Sequence, residues 1–477
     1  MSSLQRRDLL RWACGAAIVP IEGAGIETHQ ATGVKLGEIT PTTARIWTRR
    51  TASSIRNNGG TPPQAGETKR TLPLTADLTQ LEGACPGAPG FLRVTLRTEK
   101  GSKVHATDWA AADPAKDFTS HFNLKNLRPG TSYRYTVETR PATSNKADGQ
   151  LTGAFRTAPA ANTEAAIQFA MMSCQKYSQR DDAQGFHLYD AIKAWQPHFY
   201  LSVGDNVYYD SDDPVVNQTS VARHHWQRMF SLPRTAECLR TVPGYWIKDD
   251  HDSYSDDCWP GYVNQNMNPF SFEQGLKIFP EQTPFPEGKP YRTMRWGRGV
   301  ELWLLEGRDY RMANTAADGP AKTIWGPEQK EWLKRTLAAS TADWKIVVSP
   351  TPVVGPDRPT KHDNHSNKDW ASEGGEFRRW IRDHTKGNIF VICGDRHWQY
   401  HSIDPATKVE EFGCGAASDS HAAGTPGEDK RIHKFHRVLG GFLALSVKPE
   451  GSRSSLTIEH RDVRGKTVYG RTYERTV

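Results

Sequence analysis

Four short apolar runs each end in a cluster of acidic, histidine or cysteine residues, and this placement constrains the chain more than any other feature. Residues 167–173 lead into Cys174-Gln175, and residues 199–203 into Gly204-Asp205-Asn206-Val207-Tyr208. Residues 245–247 lead into Asp249-Asp250-His251-Asp252, and residues 389–393 into Gly394-Asp395-Arg396-His397. Further apolar runs lie at 302–305 and 345–349, with helical patterns at 185–195, 328–337 and 376–384. Apolar runs alternating with helices predict a layered α/β fold. Ligands of such sheets bind beyond the carboxyl ends of the strands, so clusters at successive strand ends predict one convergent site. A Gly-Asp pair after a single strand is ordinarily a turn; it is the convergence that carries the inference.

Upstream the rhythm changes. Apolar Val34, Leu36, Ile39, Ile46 and Trp47 flank a Pro-Thr-Thr turn, and Tyr133, Tyr135 and Val137 alternate after Leu124, Leu127 and Pro129-Gly130. Such alternation between turn residues marks half-buried strands. The Leu-x-Pro-Gly-Thr-x-Tyr-x-Tyr-x-Val pattern resembles a fibronectin type III or immunoglobulin-like all-β sandwich, whose first tyrosine locks a corner. Residues 51–90, rich in Gly, Pro and Thr, read as an inserted loop or edge hairpin. The tail at 442–447 and 456–460 returns to strand alternation and predicts a hairpin. A chain of 477 residues exceeds what one core sustains. The expected organisation is an export segment at 1–31, a β-sandwich domain at 32–159 and an α/β domain at 165–477.

Gln5-Arg6-Arg7-Asp8-Leu9-Leu10-Arg11 sets paired arginines before an apolar stretch at 12–21, which is too short to span a bilayer, where about 20 residues are needed. The segment resembles a twin-arginine export signal. A periplasmic or secreted location follows, with the export machinery as a partner. Arg11, three residues before Cys14, argues against a lipoprotein anchor, so no stable membrane anchor is expected. Of the seven cysteines six lie beyond the signal, and Cys238 and Cys258 are candidates for pairing by their nearness in sequence. The net charge of +7 comes from scattered Lys and Arg and offers no nucleic-acid-binding footprint.

Carboxylates, imidazoles, a thiol and a phenol in one place suit metal ions better than acid–base catalysis alone. Oxygen ligands favour hard ions, whereas imidazole and thiolate favour transition metals, so the mixture predicts one ion of each kind. Paired ions clamp the attacking and leaving oxygens of an in-line displacement, and a carboxylate such as Asp205 can bridge them.

Taken together, SCQ at 173–175, GDNVY at 204–208, WIKDDHD at 246–252, RTLAASTADWKIVVSPTPVVGPDR at 335–358 and CGDRHWQYHS at 393–402 resemble the PhoD-like alkaline phosphatases, a branch of the calcineurin-like metallophosphoesterases. The resemblance implies a phosphate-ester substrate, Fe3+ and Ca2+ as cofactors, and hydrolysis by a metal-activated water. It implies that Cys174, Asp205 and Tyr208 bind iron, Asp205 bridging, and that Asp395 and His397 form the last metal motif. Asp250 and His251 stand where relatives keep a metal ligand and a leaving-group histidine. Arg396 would hold two non-bridging oxygens with its planar fork, and Arg308 and Arg311 would contact phosphate. The polar loop 356–370, including His365, would cover the site and set substrate choice. The chain departs from the family in two places. Ser255 and Asp256 stand where an asparagine is implicated, which leaves Asp250 and Asp256 as alternatives for the second ion, and Glu306-Gly307 replaces Asp-Thr.

Two rival readings remain at this level. Cys174 and Arg180 fit the Cys-x5-Arg spacing of covalent cysteine phosphatases, but the intervening Gln-Lys-Tyr-Ser-Gln lacks the glycines of an amide cradle for phosphate. A non-catalytic secreted binding protein would account for the sandwich but not for the convergent clusters.

Overall fold

The structure is a computed structural model that describes residues 29–64, 66, 69–384 and 387–476. Residues 1–28 of the expected export signal lie outside the described residues. Strand Ile167–Met172 runs parallel to Phe199–Val203, which runs parallel to Gly244–Ile247. All five residues of Phe199–Val203 are buried. This is why these runs are almost continuously apolar: parallel strands are covered on both faces. In a second sheet Val300–Leu304, Trp344–Ser349, Ile389–Cys393 and Glu410–Cys414 follow in parallel register.

The two sheets pack face to face. Alternate residues divide between layers, as the two-residue strand period requires. Phe169 and Met171 join Phe199, Leu201, Ile346 and Ile392 between the sheets. Ala170 and Met172 face outward against Tyr189, Ile192 and Trp226 from the helices His187–Trp195 and Thr219–Phe230. On the far side Val347 and Val391 pack on Leu333 and Phe377 from Gly326–Ala339 and Ala371–His384. Each such buried side chain contributes roughly 1.5–3 kcal/mol of transfer free energy. The layers are therefore helix, sheet, sheet, helix.

Upstream, Val34–Gly37, Ala44–Arg49 and Thr119–Leu124 face Gly90–Thr98, Ser132–Pro141 and Gly149–Arg156 across a shared core. The Tyr133 hydroxyl accepts the Arg128 N–H at 2.9 Å and closes the Pro129-Gly130 corner, a bond worth about 1 kcal/mol. The first of these sheets continues into the α/β sheet through parallel pairing of Gly37 with Gly244. Lys35 seals the junction, its ammonium 4.0 Å from the Trp47 ring centre and 3.8 Å from that of Phe230.

Some expectations change. The tail forms three antiparallel strands, Gly441–Glu450, Arg453–Asp462 and Thr467–Thr476, rather than a hairpin. Of the two forms expected for residues 51–90, the described residues take the inserted loop, tied to the α/β part by bonds such as Arg70 Nε to Asp213 at 2.8 Å. Cys238 and Cys258 are not paired; all six cysteines described are free and buried. Cys238 sits in the apolar cluster under helix Pro233–Leu239, while Cys258 Sγ turns to the Asp250 carbonyl at 3.6 Å. Among the described residues no helix is long and apolar enough to cross a membrane.

Candidate metal centre

The strand ends meet where the two sheets touch. Ser173 Oγ donates to the Val203 carbonyl at 2.8 Å and accepts the Asp395 N–H at 3.3 Å, linking one sheet to the other. Gly394 lies in this seam, where a Cβ would fall 2.4 Å from the Val203 oxygen and 2.5 Å from Ser173 Oγ. Cys174, Asp205 and Asp395 all have left-handed backbones, with φ of 56°, 53° and 64°. Non-glycine residues held in that region cost about 1 kcal/mol or more each and gather at functional sites. Here the turns aim three strand ends, two from one sheet and one from the other, at one point. Gly394→Ala is expected to cost about 2–3 kcal/mol by overpacking. It should also lower ester hydrolysis roughly tenfold or more by displacing Asp395. Calorimetric melting and initial rates check both.

Asp205 is the hub. Its Oδ2 accepts from Cys174 Sγ at 3.4 Å and from the Tyr208 hydroxyl at 3.1 Å, and that hydroxyl lies 3.5 Å from His397 Nε2. Ligand atoms of Cys174, Asp205 and His397 lie within 4.8 Å of one another, as do those of Asp205, Asp250 and His251, so Asp205 belongs to both groups. A third group joins Asp250, Asp256 and Asp257. There Lys361 Nζ already pairs with Asp257 at 2.6 Å and Asp256 at 3.3 Å.

The residues fit a pair of metal ions. Asp205 Oδ1 is buried and has no hydrogen-bond partner, an orphan that costs free energy unless a cation meets it. Burial, and then the negative charge of Asp250, push the Asp205 carboxyl well above its ordinary range. Burial together with Asp205 and Asp395 does the same to the Cys174 thiol, and burial with Asp205 and Cys174 to the Tyr208 phenol. Bound cations would remove this mutual repulsion. The thiol, phenol and imidazole group suits a transition ion, and the carboxylate side suits a harder one.

His251 faces the same cleft, a space of about 180 Å³ lined also by Asp205, Asp256, Arg358, Lys361, Asp395 and His397. Its Nδ1 meets Asp210 Oδ1 at 2.7 Å, and its ring lies 4.2 Å from that of Tyr208. Burial alone would lower its pKa, but Asp210, Asp250 and Asp205 outweigh burial and hold it well above the ordinary histidine value. Asp210 is missing from the sequence reading, although it follows Tyr208 by two residues; only the folded loop brings it to the imidazole. His421 also joins the site, its Nδ1 3.0 Å from the Cys174 carbonyl and its ring 3.9 Å from that of His397.

Four residues assigned to phosphate or catalysis from the sequence do not reach it. Arg396 is buried, pairing with Asp357 at 3.2 Å, Asp363 at 3.1 Å and Asp395. Both its Nη groups are occupied, and it positions Asp395 instead of holding phosphoryl oxygens. Arg308 is fully buried and donates to Asp249 at 2.5 Å. Arg311 donates to the Asp363 carbonyl and lies over the Trp370 ring at 5.3 Å, buried away from the cleft. His365 is buried against Trp325 and bonds Glu373 at 2.9 Å, so it anchors its loop and contacts no substrate. The loop does border the cleft, but through Arg358 and Lys361.

The covalent cysteine alternative fails on geometry. The amides of Tyr177 and Ser178, which would cradle phosphate, donate to the Asp212 carboxylate at 2.9 and 3.2 Å. Arg180 pairs with Glu82 at 3.1 Å. A thiol buried among carboxylates is also held in its protonated, weakly nucleophilic form.

Residues 169–438 match the family described as PhoD-like phosphatase, and residues 20–159 match PhoD-like phosphatase, N-terminal domain. Alkaline phosphatase D of Bacillus subtilis (strain 168) is 24% identical over 484 residues, covering 87% of this chain and 75% of that protein. Tartrate-resistant acid phosphatase type 5 of Oryctolagus cuniculus is 21% identical over 309 residues, covering 61% of this chain and 84% of that protein. A solved structure of PhoD shares the fold with a TM-score of 0.70 over 95% of this chain and 92% of that chain, at 16% identity. Purple acid phosphatase PPD1 from yellow lupin (Lupinus luteus) seeds does so with a TM-score of 0.60 over 92% and 73%, at 12% identity. The chain belongs to the PhoD-like phosphatases and is a phosphoesterase enzyme.

Proposed function

We propose that the chain is an exported, metal-dependent hydrolase of phosphate mono- or diesters, with Cys174, Asp205, Tyr208, Asp395 and His397 around an Fe3+ ion and Asp205 and Asp250 on a Ca2+ ion. The observation that carries this reading is the Asp205 carboxylate, shared by two ligand groups at the floor of one cleft with an orphaned oxygen. Asp250 serves the second ion in preference to Asp256, because Lys361 already neutralises Asp256 and Asp257. Ions held there would supply Lewis-acid charge and a hydroxide nucleophile near neutral pH. His251, oriented by Asp210 through Nδ1, gives its Nε2 proton to the departing ester oxygen. Arg396 and His421 hold Asp395 and the Cys174 turn in place.

The remaining parts of the reading follow from the sequence: twin-arginine export of residues 1–31 to the periplasm or medium, a fibronectin III-like domain at 32–159 and the catalytic domain at 165–477. The Tyr133 corner supports the second of these. The test is hydrolysis of matched chromogenic mono- and diesters before and after chelation. Activity lost on chelation and restored by iron with calcium is the expected result. Activity that survives demetallation overturns the metal mechanism, and metal binding without turnover of either ester favours a binding role.

A further inference from the structure

Arg396, Arg308 and Arg311 are buried outside the lining of the cleft, so another group is needed to grip a phosphoryl anion. Its lining holds two long cationic side chains, Arg358 and Lys361. Lys361 is already paired with Asp256 and Asp257. Arg358 is not committed in this way. Its Nε is buried without a hydrogen-bond partner, and among the described residues no acceptor is bonded to its guanidinium. The nearest carboxylate, Asp357, lies 3.6 Å from that Nε and is itself occupied by Arg396 at 3.2 Å and Asn364 at 2.8 Å. The Arg358 side chain keeps 36% of its surface exposed, toward the cleft. Its Nη1 rests on Gly424, where a Cβ would come within 3.0 Å, so the glycine leaves room for the guanidinium.

The loop carrying Arg358 is firmly held. The Glu411 carboxylate accepts the N–H groups of Val353, Val354 and Gly355 at 2.6, 3.0 and 2.8 Å. A guanidinium with unsatisfied donors, carried to the cleft rim by an anchored loop, matches two oxygens of a phosphoryl group in a planar fork.

We propose that Arg358 is the anion-gripping residue of the cleft, binding the non-bridging oxygens of the phosphate ester and of the inorganic phosphate released. This rests on the phosphoesterase reading of the same site. The test uses the metal-replete full chain with Arg358→Gln and Arg358→Lys. Inorganic phosphate binding is followed by calorimetry, and KM and kcat are measured with a chromogenic monoester. A charge-assisted bond lost without disturbing the fold predicts roughly 10–100-fold weaker phosphate binding and a KM raised by a similar factor in Arg358→Gln. Arg358→Lys should recover part of the affinity through charge alone. Metal content and melting temperature should stay at wild-type values in both variants, which a merely structural arginine would not allow. Wild-type turnover with phosphate affinity within twofold in Arg358→Gln overturns the proposal and leaves the phosphoesterase reading intact. If the wild-type chain neither binds phosphate nor hydrolyses esters, both fall. If Arg358→Gln unfolds, Arg358→Lys decides alone: unchanged affinity and KM there, in a folded protein, count against the two-pronged grip.

Discussion

Asp205→Asn is expected to abolish ester hydrolysis, by roughly a thousandfold or more, while leaving the metal-free protein at least as stable as the wild type. The loss follows from the shared position of Asp205. Removing partners that only support a ligand costs roughly 10–100-fold, and this carboxylate serves two ligand groups at once. The stability gain follows from linkage. Without metal the Asp205 carboxyl titrates well above its unfolded value because of burial and Asp250. The native state then binds more protons than the unfolded one, so the wild-type carboxylate costs stability as pH rises through that range. A neutral amide removes the cost at neutral pH, and the difference shrinks as pH falls toward the ordinary carboxylate range. Calorimetric melting of chelated wild type and variant at two pH values, with metal analysis and rates on the replete proteins, tests both halves. A variant that keeps its metals and its rate would remove Asp205 from the hub. A variant that melts earlier without metal would show that the carboxylate is structural.

The layered core was legible in the sequence because parallel strands covered on both faces leave unbroken apolar runs, and the motifs follow those runs directly. Helices Thr219–Phe230, Pro233–Leu239 and Phe272–Gln282 were not read. The first mixes His224, His225 and Arg228 with its apolar face, yet all three are buried. The last carries Pro280 inside it. The arginines were misjudged for a different reason. An arginine beside an acidic motif looks available for phosphate, but its countercharge comes from elsewhere in the chain. Asp357 and Asp363, in a loop with no periodicity, fold back onto Arg396. The same loop offers Arg358 to the cleft with no hydrogen-bond partner for its Nε among the described residues. Sequence shows which charges exist; which remain uncompensated depends on tertiary pairing.

His251→Asn separates proton donation from metal binding. The asparagine amide takes the place of Nδ1 and can still hydrogen-bond Asp210, as Nδ1 does at 2.7 Å, but it has no proton to give the leaving oxygen. General acid catalysis is worth roughly a hundredfold to ten-thousandfold where the leaving group is a poor one. The variant is therefore expected to lose about two to three orders of magnitude in kcat with an alkyl phosphate ester. With a nitrophenyl ester, whose anion departs without help, the loss should be under about tenfold. The ratio of these losses is the diagnostic, because misplaced metals would slow both esters alike. Metal analysis supplies the second readout, since His251 lies within the ligand group of Asp205 and Asp250. Equal losses with reduced metal content would move His251 among the ligands. The proton would then have to come from another group at the cleft, but not from Lys361: burial alone would lower its pKa, yet Asp363, Asp257 and Asp256 hold its ammonium well above the ordinary lysine value, too weak an acid for the task.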